Sequence, residues 1–285
     1  MERIKEALER ARKERGNSGA WSSAGSVLEI NSRAAAGAVD QIVYTHTRTL
    51  QLSPPLLREN RIIIGAETSA VADAYKILRT QVLQRMQERN WNALAVTSPG
   101  RGEGKTVTAI NLAISLAMEV DKTVLLVDAD LRQPRLHTFF GIDHGPGLSD
   151  HLVSDVPLGE ILVHPGIGRF VILPGGKPII NSSEMLASRK MADLVQELKT
   201  RYPSRYIIFD LPPLLNAADV LAFSPLVDAA LLVVEDARTR REDLARAAEL
   251  LRATNLLGSV LNKSREVDTV PARSDAPARQ VAGGR

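Results

Sequence analysis

The chain has 285 residues, a formal net charge of +3 and no cysteine. Its 44% hydrophobic and 24% charged residues are a globular composition, and the length is enough to bury a substantial core. The near-neutral balance argues against a dedicated nucleic-acid binder, and the missing thiols exclude a disulfide framework, a thiolate metal site and a cysteine nucleophile.

In chain order, residues 2–15 predict a short amphipathic helix. Ile4, Ala7, Leu8 and Ala11 fall at i, i+3, i+4 and i+7. Glu6–Arg10 and Glu9–Lys13 are acid-first i,i+4 pairs, and Gly16 is a stop. So short a helix is marginal alone in water. Its stripe is expected to dock in a partner's groove, with a membrane surface or its own domain as the alternatives. The charged start lacks the apolar core of a secretory signal, and no run reaches a membrane span. The chain is therefore expected to be soluble.

Residues 17–60 are rich in Gly, Ser, Asn and Ala and then read Ser53-Pro54-Pro55. They predict a linker with at most a short strand at Gln41–Tyr44. The compact domain is expected over 61–262. It opens with a helix over about 68–89, an apolar strand at Asn92–Thr97, a glycine loop and a helix over 105–119. Strands at Thr123–Val127 and Arg169–Leu173 follow. Next comes one helix over 184–200, capped by Asn181 with Glu184 three residues on. The last elements are strands at Tyr206–Phe209 and Ala229–Val234, a charged helix over 240–253 and a strand at Ser259–Leu261. Continuously apolar strands alternating with helices predict an α/β fold: a mostly parallel sheet flanked by helices on both faces. Residues 263–285 lack aromatics and abound in Pro, Ala, Arg and Gly, so a disordered tail is expected.

Three motifs carry chemistry. The first is Ser98-Pro99-Gly100-Arg101-Gly102-Glu103-Gly104-Lys105-Thr106, leaving a strand and opening a helix. Backbone N–H groups of such a loop and of the helix start bind phosphate. Lys105 would reach the β/γ-phosphates and Thr106 would ligate Mg²⁺. The strict pattern wants Gly at Pro99, so the loop is a variant, and an ordinary glycine-rich turn is the alternative. The second is Val127-Asp128-Ala129-Asp130-Leu131-Arg132 after a buried strand. Ligands of open parallel sheets sit at strand carboxyl ends, and two spaced acids there suit a divalent ion or a general base. A metal-dependent sugar transferase or a solvated turn would read similarly. The third is Tyr206-Ile207-Ile208-Phe209-Asp210, an apolar strand ending in an acid that suits Mg²⁺. Together, in this order, they predict a Mg²⁺–nucleotide site.

With VDADLRQP and FDLPP in place, the chain resembles the bacterial tyrosine kinases of exopolysaccharide synthesis, built on the P-loop NTPase fold of the partition and septum-site ATPases. The resemblance spans about 67–262. It implies an ATP-dependent, non-receptor protein-tyrosine kinase with ATP and Mg²⁺ as cofactors. Gly100, Arg101, Gly102, Glu103, Gly104, Lys105, Thr106 and Val107 would form the nucleotide loop, and Asn262 would lie near the adenine. Thr106, Asp128 and Asp210 would hold the metal. Lys105, Asp128 and Asp130 would carry catalysis, with Asp128 accepting the hydroxyl proton, and Arg132 would steady the γ-phosphate or a neighbour's tail. Asp73, Lys76 and Arg79 look like an altered oligomerisation motif, which implies a homo-oligomer. The family further implies a membrane-embedded polysaccharide chain-length determinant as partner, and thus a cytoplasmic protein held at the inner membrane. The ends are most similar to the subgroup linked to exosortase (PEP-CTERM) clusters. Family members usually carry a tail tyrosine cluster, whereas the tyrosines here are 44, 75, 202 and 206. That departure keeps a partition-type switch ATPase as the rival reading.

Overall fold

The computed structural model describes residues 48–64, 69–119, 121–201 and 204–264. The predicted N-terminal helix, the strand at 41–44, Tyr44, Tyr202 and the tail from 265 lie outside the described residues. Lys263, expected to open the disordered tail, is instead fixed by its ammonium to Gly102 O at 2.7 Å and to Glu235 at 3.0 Å. In chain order the elements are β1 (Arg48–Thr49), α1 (Pro54–Glu59), α2 (Ala70–Glu88), β2 (Ala93–Thr97), α3 (Lys105–Ala117) and β3 (Thr123–Asp128). Then come α4 (Leu136–Phe139), α5 (Leu148–Ser154), α6 (Leu158–Ile161), β4 (Val163–His164) and β5 (Phe170–Leu173). The remainder is α7 (Ser182–Leu186), α8 (Arg189–Arg201), β6 (Arg205–Asp210), α9 (Asp219–Phe223), β7 (Ala229–Glu235), α10 (Arg241–Leu250) and β8 (Leu256–Asn262).

The strands form one eight-stranded sheet in the order β1-β4-β5-β3-β6-β2-β7-β8. The pairs are parallel except β4–β5. That one reversal turns β1 and β4 against the other strands. Arg48 therefore enters at the end of the sheet where β8 leaves at Asn262, on the opposite edge. The central strands are buried on both faces, and their side chains divide by the period of two. Leu94, Val96, Val124, Leu126 and Ile208 face α1, α2 and α3. Ala93, Ala95, Leu125, Val127, Ile207 and Phe209 face α5, α8, α9 and α10.

Two expectations are corrected. Residues 48–60 are not linker: β1 pairs with β4, and α1 begins at Pro54, with Leu57 buried. Proline breaks a helix interior but fits its first turn. Asn111 of α3 fastens the segment, donating to Arg61 O at 2.9 Å and accepting from Ile63 N at 2.9 Å. The single helix over 184–200 is two. Asn181 makes no side-chain cap. Instead the Ser188 hydroxyl donates to Met185 O at 2.7 Å, closing α7, and accepts from Met191 N at 3.2 Å, opening α8. Because Leu57 sits in the core, Leu57→Ala is expected to cost about 2–5 kcal/mol, read as a lower urea midpoint. A true linker residue would leave the midpoint unmoved.

Candidate active site

β3, β6 and β2 are neighbours, so the three motifs open into one crevice at their carboxyl ends. The loop from Ser98 reaches α3 through two glycines in the left-handed region, Gly102 at φ +79° and Gly104 at φ +94°. A side chain at 104 would also collide with the Asn262 amide. Gly104→Ala is therefore expected to abolish nucleotide binding in a fluorescent-ATP titration. Adding Asn262→Ala removes the collision but not the backbone strain, so binding should return only in part.

At the head of α3, Lys105 Nζ lies 3.2 Å from Asp130 Oδ2 and 3.5 Å from Asp210 Oδ1. The Thr106 hydroxyl donates to Asp210 Oδ2 at 2.7 Å. Lys105, Thr106, Asp130 and Asp210 are thus brought together at one point of the crevice. Asp128 sits deeper. Its Oδ2 accepts the backbone N–H groups of Arg135 and Leu136, both at 2.9 Å, and its Oδ1 accepts that of Asp130 at 3.3 Å.

Burial, with the charge of Asp210 added, pushes the Asp128 carboxyl up to about 7, against the Leu136 N–H and Lys105. Burial also raises Asp210, opposed by Lys105 and by the Thr106 hydroxyl. Burial alone would lower Lys105, but Asp210, Asp130 and Asp128 outweigh it and hold the ammonium above its ordinary value. A carboxyl near neutrality is matched to taking a proton from a hydroxyl. A firmly charged lysine beside it suits phosphate oxygens.

Other expected residues serve the loop itself. The buried Glu103 accepts the Gly100 N–H at 2.9 Å and the Thr239 hydroxyl at 2.6 Å. The Asn262 amide donates to Glu103 O at 2.8 Å, and its oxygen accepts the Lys263 N–H at 2.9 Å. Lys263 Nζ donates to Gly102 O at 2.7 Å. Glu103 and Asn262 therefore brace the phosphate loop from β7 and β8. Arg101 stands exposed at the loop tip, and Val107 is half-buried in the first turn of α3. Arg132 is fastened outside the lysine–carboxylate cluster: its Nε donates to both oxygens of Asp219, at 2.7 and 3.0 Å. Thr239 and Asp219 were not found from sequence, since they reach the site only across distant parts of the chain. The N–H groups at 135–136 were not found because a backbone donor in the loop after β3 carries no side-chain signal.

Residues 92–262 match the AAA domain family. The chain is 32% identical over 208 residues to the tyrosine-protein kinase YwqD of Bacillus subtilis, covering 72% of this chain and 86% of that protein. The crystal structure of the chimerical protein CapA2B2 superposes with a TM-score of 0.67 at 25% identity, over 77% of this chain and 94% of that one. The kinase domain of the Escherichia coli tyrosine kinase ETK gives 0.64 at 27% identity, over 75% and 88%. A variant phosphate loop, two acidic strand ends and these likenesses agree: the chain belongs to the bacterial tyrosine-protein kinase family, on an AAA-type P-loop domain.

Proposed function

We propose that this chain transfers the γ-phosphoryl of ATP to a tyrosine hydroxyl in the control of exopolysaccharide synthesis or export. The observation that carries the reading is the convergence of Lys105, Thr106, Asp130 and Asp210 within 2.7–3.5 Å, beside a carboxyl poised near 7. Lys105 and the loop N–H groups hold the phosphates, and Asp128 takes the hydroxyl proton. The donors Thr106 Oγ, Asp128 and Asp210 are hard oxygens, a set that fits Mg²⁺. When bound, Mg²⁺ neutralises charge developing on the transferred phosphoryl. In this reading the protein works at the cytoplasmic face of the inner membrane, beside a membrane-embedded chain-length determinant. It belongs nearest the exosortase-linked subgroup and forms homo-oligomers through α2. Among the described residues no helix is long and apolar enough to cross a membrane. On α2, Asp73 and Lys76 pair at 2.8 Å on the surface, while Arg79 is held within the chain by Glu119 at 3.1 Å.

The acceptor lies outside the two described tyrosines. Tyr75 is half-buried, its hydroxyl against Thr108 and Asn111, and desolvation raises that hydroxyl above the ordinary value. Tyr206 is buried in β6. The test is incubation with γ-labelled ATP, with and without the membrane partner, followed by mapping of modified residues. Label on tyrosine supports the reading. ATP hydrolysis with no labelled protein in either arm would favour the switch-ATPase alternative.

A further inference from the structure

Two residues past Asp130, Arg132 stands at the crevice end of β3, yet it makes no hydrogen bond to the lysine–carboxylate cluster, and of the acids acting on it by charge Asp130 is the weakest. Its partner is Asp219, the first residue of α9, whose carboxylate has 0% exposure. A buried carboxylate needs its lone pairs met. The Ser182 hydroxyl of α7, also fully buried, lies 2.8 Å from each Asp219 oxygen. Arg132 meets both of those oxygens through the inner Nε alone, at 2.7 and 3.0 Å. A pair built only for stability would spend the outward Nη fork on the carboxylate. Here the fork makes no hydrogen bond among the described residues; the exposed Glu184 carboxylate of α7 acts on the guanidinium by charge alone, and the Arg132 side chain is 44% exposed. The loop before α7 runs beside it, with Ile179 N–H donating to Leu131 O at 2.9 Å. Asp219 and Ser182 thus hold a guanidinium at fixed aim, its two-toothed face open at the mouth of the crevice.

We propose that Arg132 reads an oxyanion on the phosphoacceptor segment, a carboxylate next to the accepting hydroxyl, and that Asp219 and Ser182 are its positioning residues. The oxyanion is assigned to the acceptor rather than to the nucleotide for a structural reason. The nucleotide phosphates belong to the loop and the head of α3, whereas Arg132 is fastened to α7 and α9 and opens to solvent. The proposal rests on the phosphotransfer reading for the identity of the acceptor.

The test measures binding, so that it does not depend on turnover. Two fluorescein-labelled peptides, one with Glu on each side of a single Tyr and one with Gln there, are titrated by anisotropy into the full chain with saturating Mg-ADP. The wild type should bind the Glu peptide about tenfold more tightly. Arg132→Ala should erase the preference while leaving ADP affinity unchanged, and Arg132→Lys, which keeps charge but not the fork, should restore part of it. Ser182→Ala should weaken the preference with the arginine still present. Equal binding of both peptides by the wild type, a preference that survives Arg132→Ala, or a loss of ADP affinity in that variant overturns the proposal. If the peptide preference holds but γ-labelled ATP marks no tyrosine, the kinase reading fails and the oxyanion site stands.

Discussion

Lys105→Met is expected to lower phosphotransfer by about 10²–10³-fold, the range seen when one preorganised donor to a developing oxyanion is lost. The same change removes the cation that Asp130 and Asp210 share at 3.2 and 3.5 Å. Stripping one partner from a buried ion pair costs about 3–5 kcal/mol. In nucleotide-free protein that cost should grow with pH. Lys105 is charged throughout the neutral range, its raised pKa placing any loss of the ammonium above the ordinary lysine value. Without it, Asp210 and Asp128 are pushed further up and accept protons in acid, which relieves the repulsion. Thermal melts should show a large deficit at pH 8 and a small one near pH 5. Activity should be assayed on protein shown to be folded. Lys105→Arg, which keeps the charge, should recover most of the stability and little of the activity. Wild-type turnover in a folded methionine variant would remove Lys105 from the phosphate site.

Asp128→Asn is expected to separate stability from activity. Phosphotransfer should drop by about 10²–10⁴-fold, the usual contribution of a positioned base. Nucleotide-free protein in EDTA should instead become more stable at pH 8. The sign follows from the raised pKa. A carboxyl at 3.8 in the unfolded chain and about 7 in the fold favours folding in acid. That advantage is lost as pH rises between those values and the penalty is constant above them. The full penalty is about 4 kcal/mol. Asparagine keeps an oxygen for the Arg135 and Leu136 N–H groups but turns an N–H₂ toward that of Asp130, so a net gain of about 1–3 kcal/mol is expected. The gap between variant and wild type should close as pH falls toward 4. A gap independent of pH would show that Asp128 is an ordinary carboxylate.

What was legible in the sequence was chemistry carried by contiguous residues. The phosphate loop, the Asp128–Asp130 pair and the Asp210 strand end each combine a strand, its end and the reactive group within a few positions. Their meeting followed from the parallel sheet. The strand β1 and the strand β4 were not legible, because two residues carry no periodic signal. The split of the 184–200 helix hid in Ser188, a residue that fits a helix interior until its hydroxyl is seen bonding both ways. The supports were invisible for a different reason. Asp219 reaches Arg132 across 87 positions and Thr239 reaches Glu103 across 136, and no local pattern marks either as a partner.

The two edges of the sheet differ as mechanical attachments. Arg48 and Asn262 leave from the same end at opposite edges, seven strand spacings or roughly 34 Å apart. Tension between them acts across the strands and peels ladders one bond at a time. On the β1 side it meets two register pairs, then the single pair joining β4 to β5. That edge is a fuse, able to part while β3, β6, β2 and β7 keep the crevice intact. On the other side there is no slack. Asn262 is bonded to Glu103 O and its neighbour Lys263 to Gly102 O, so a load on β8 arrives directly at the phosphate loop.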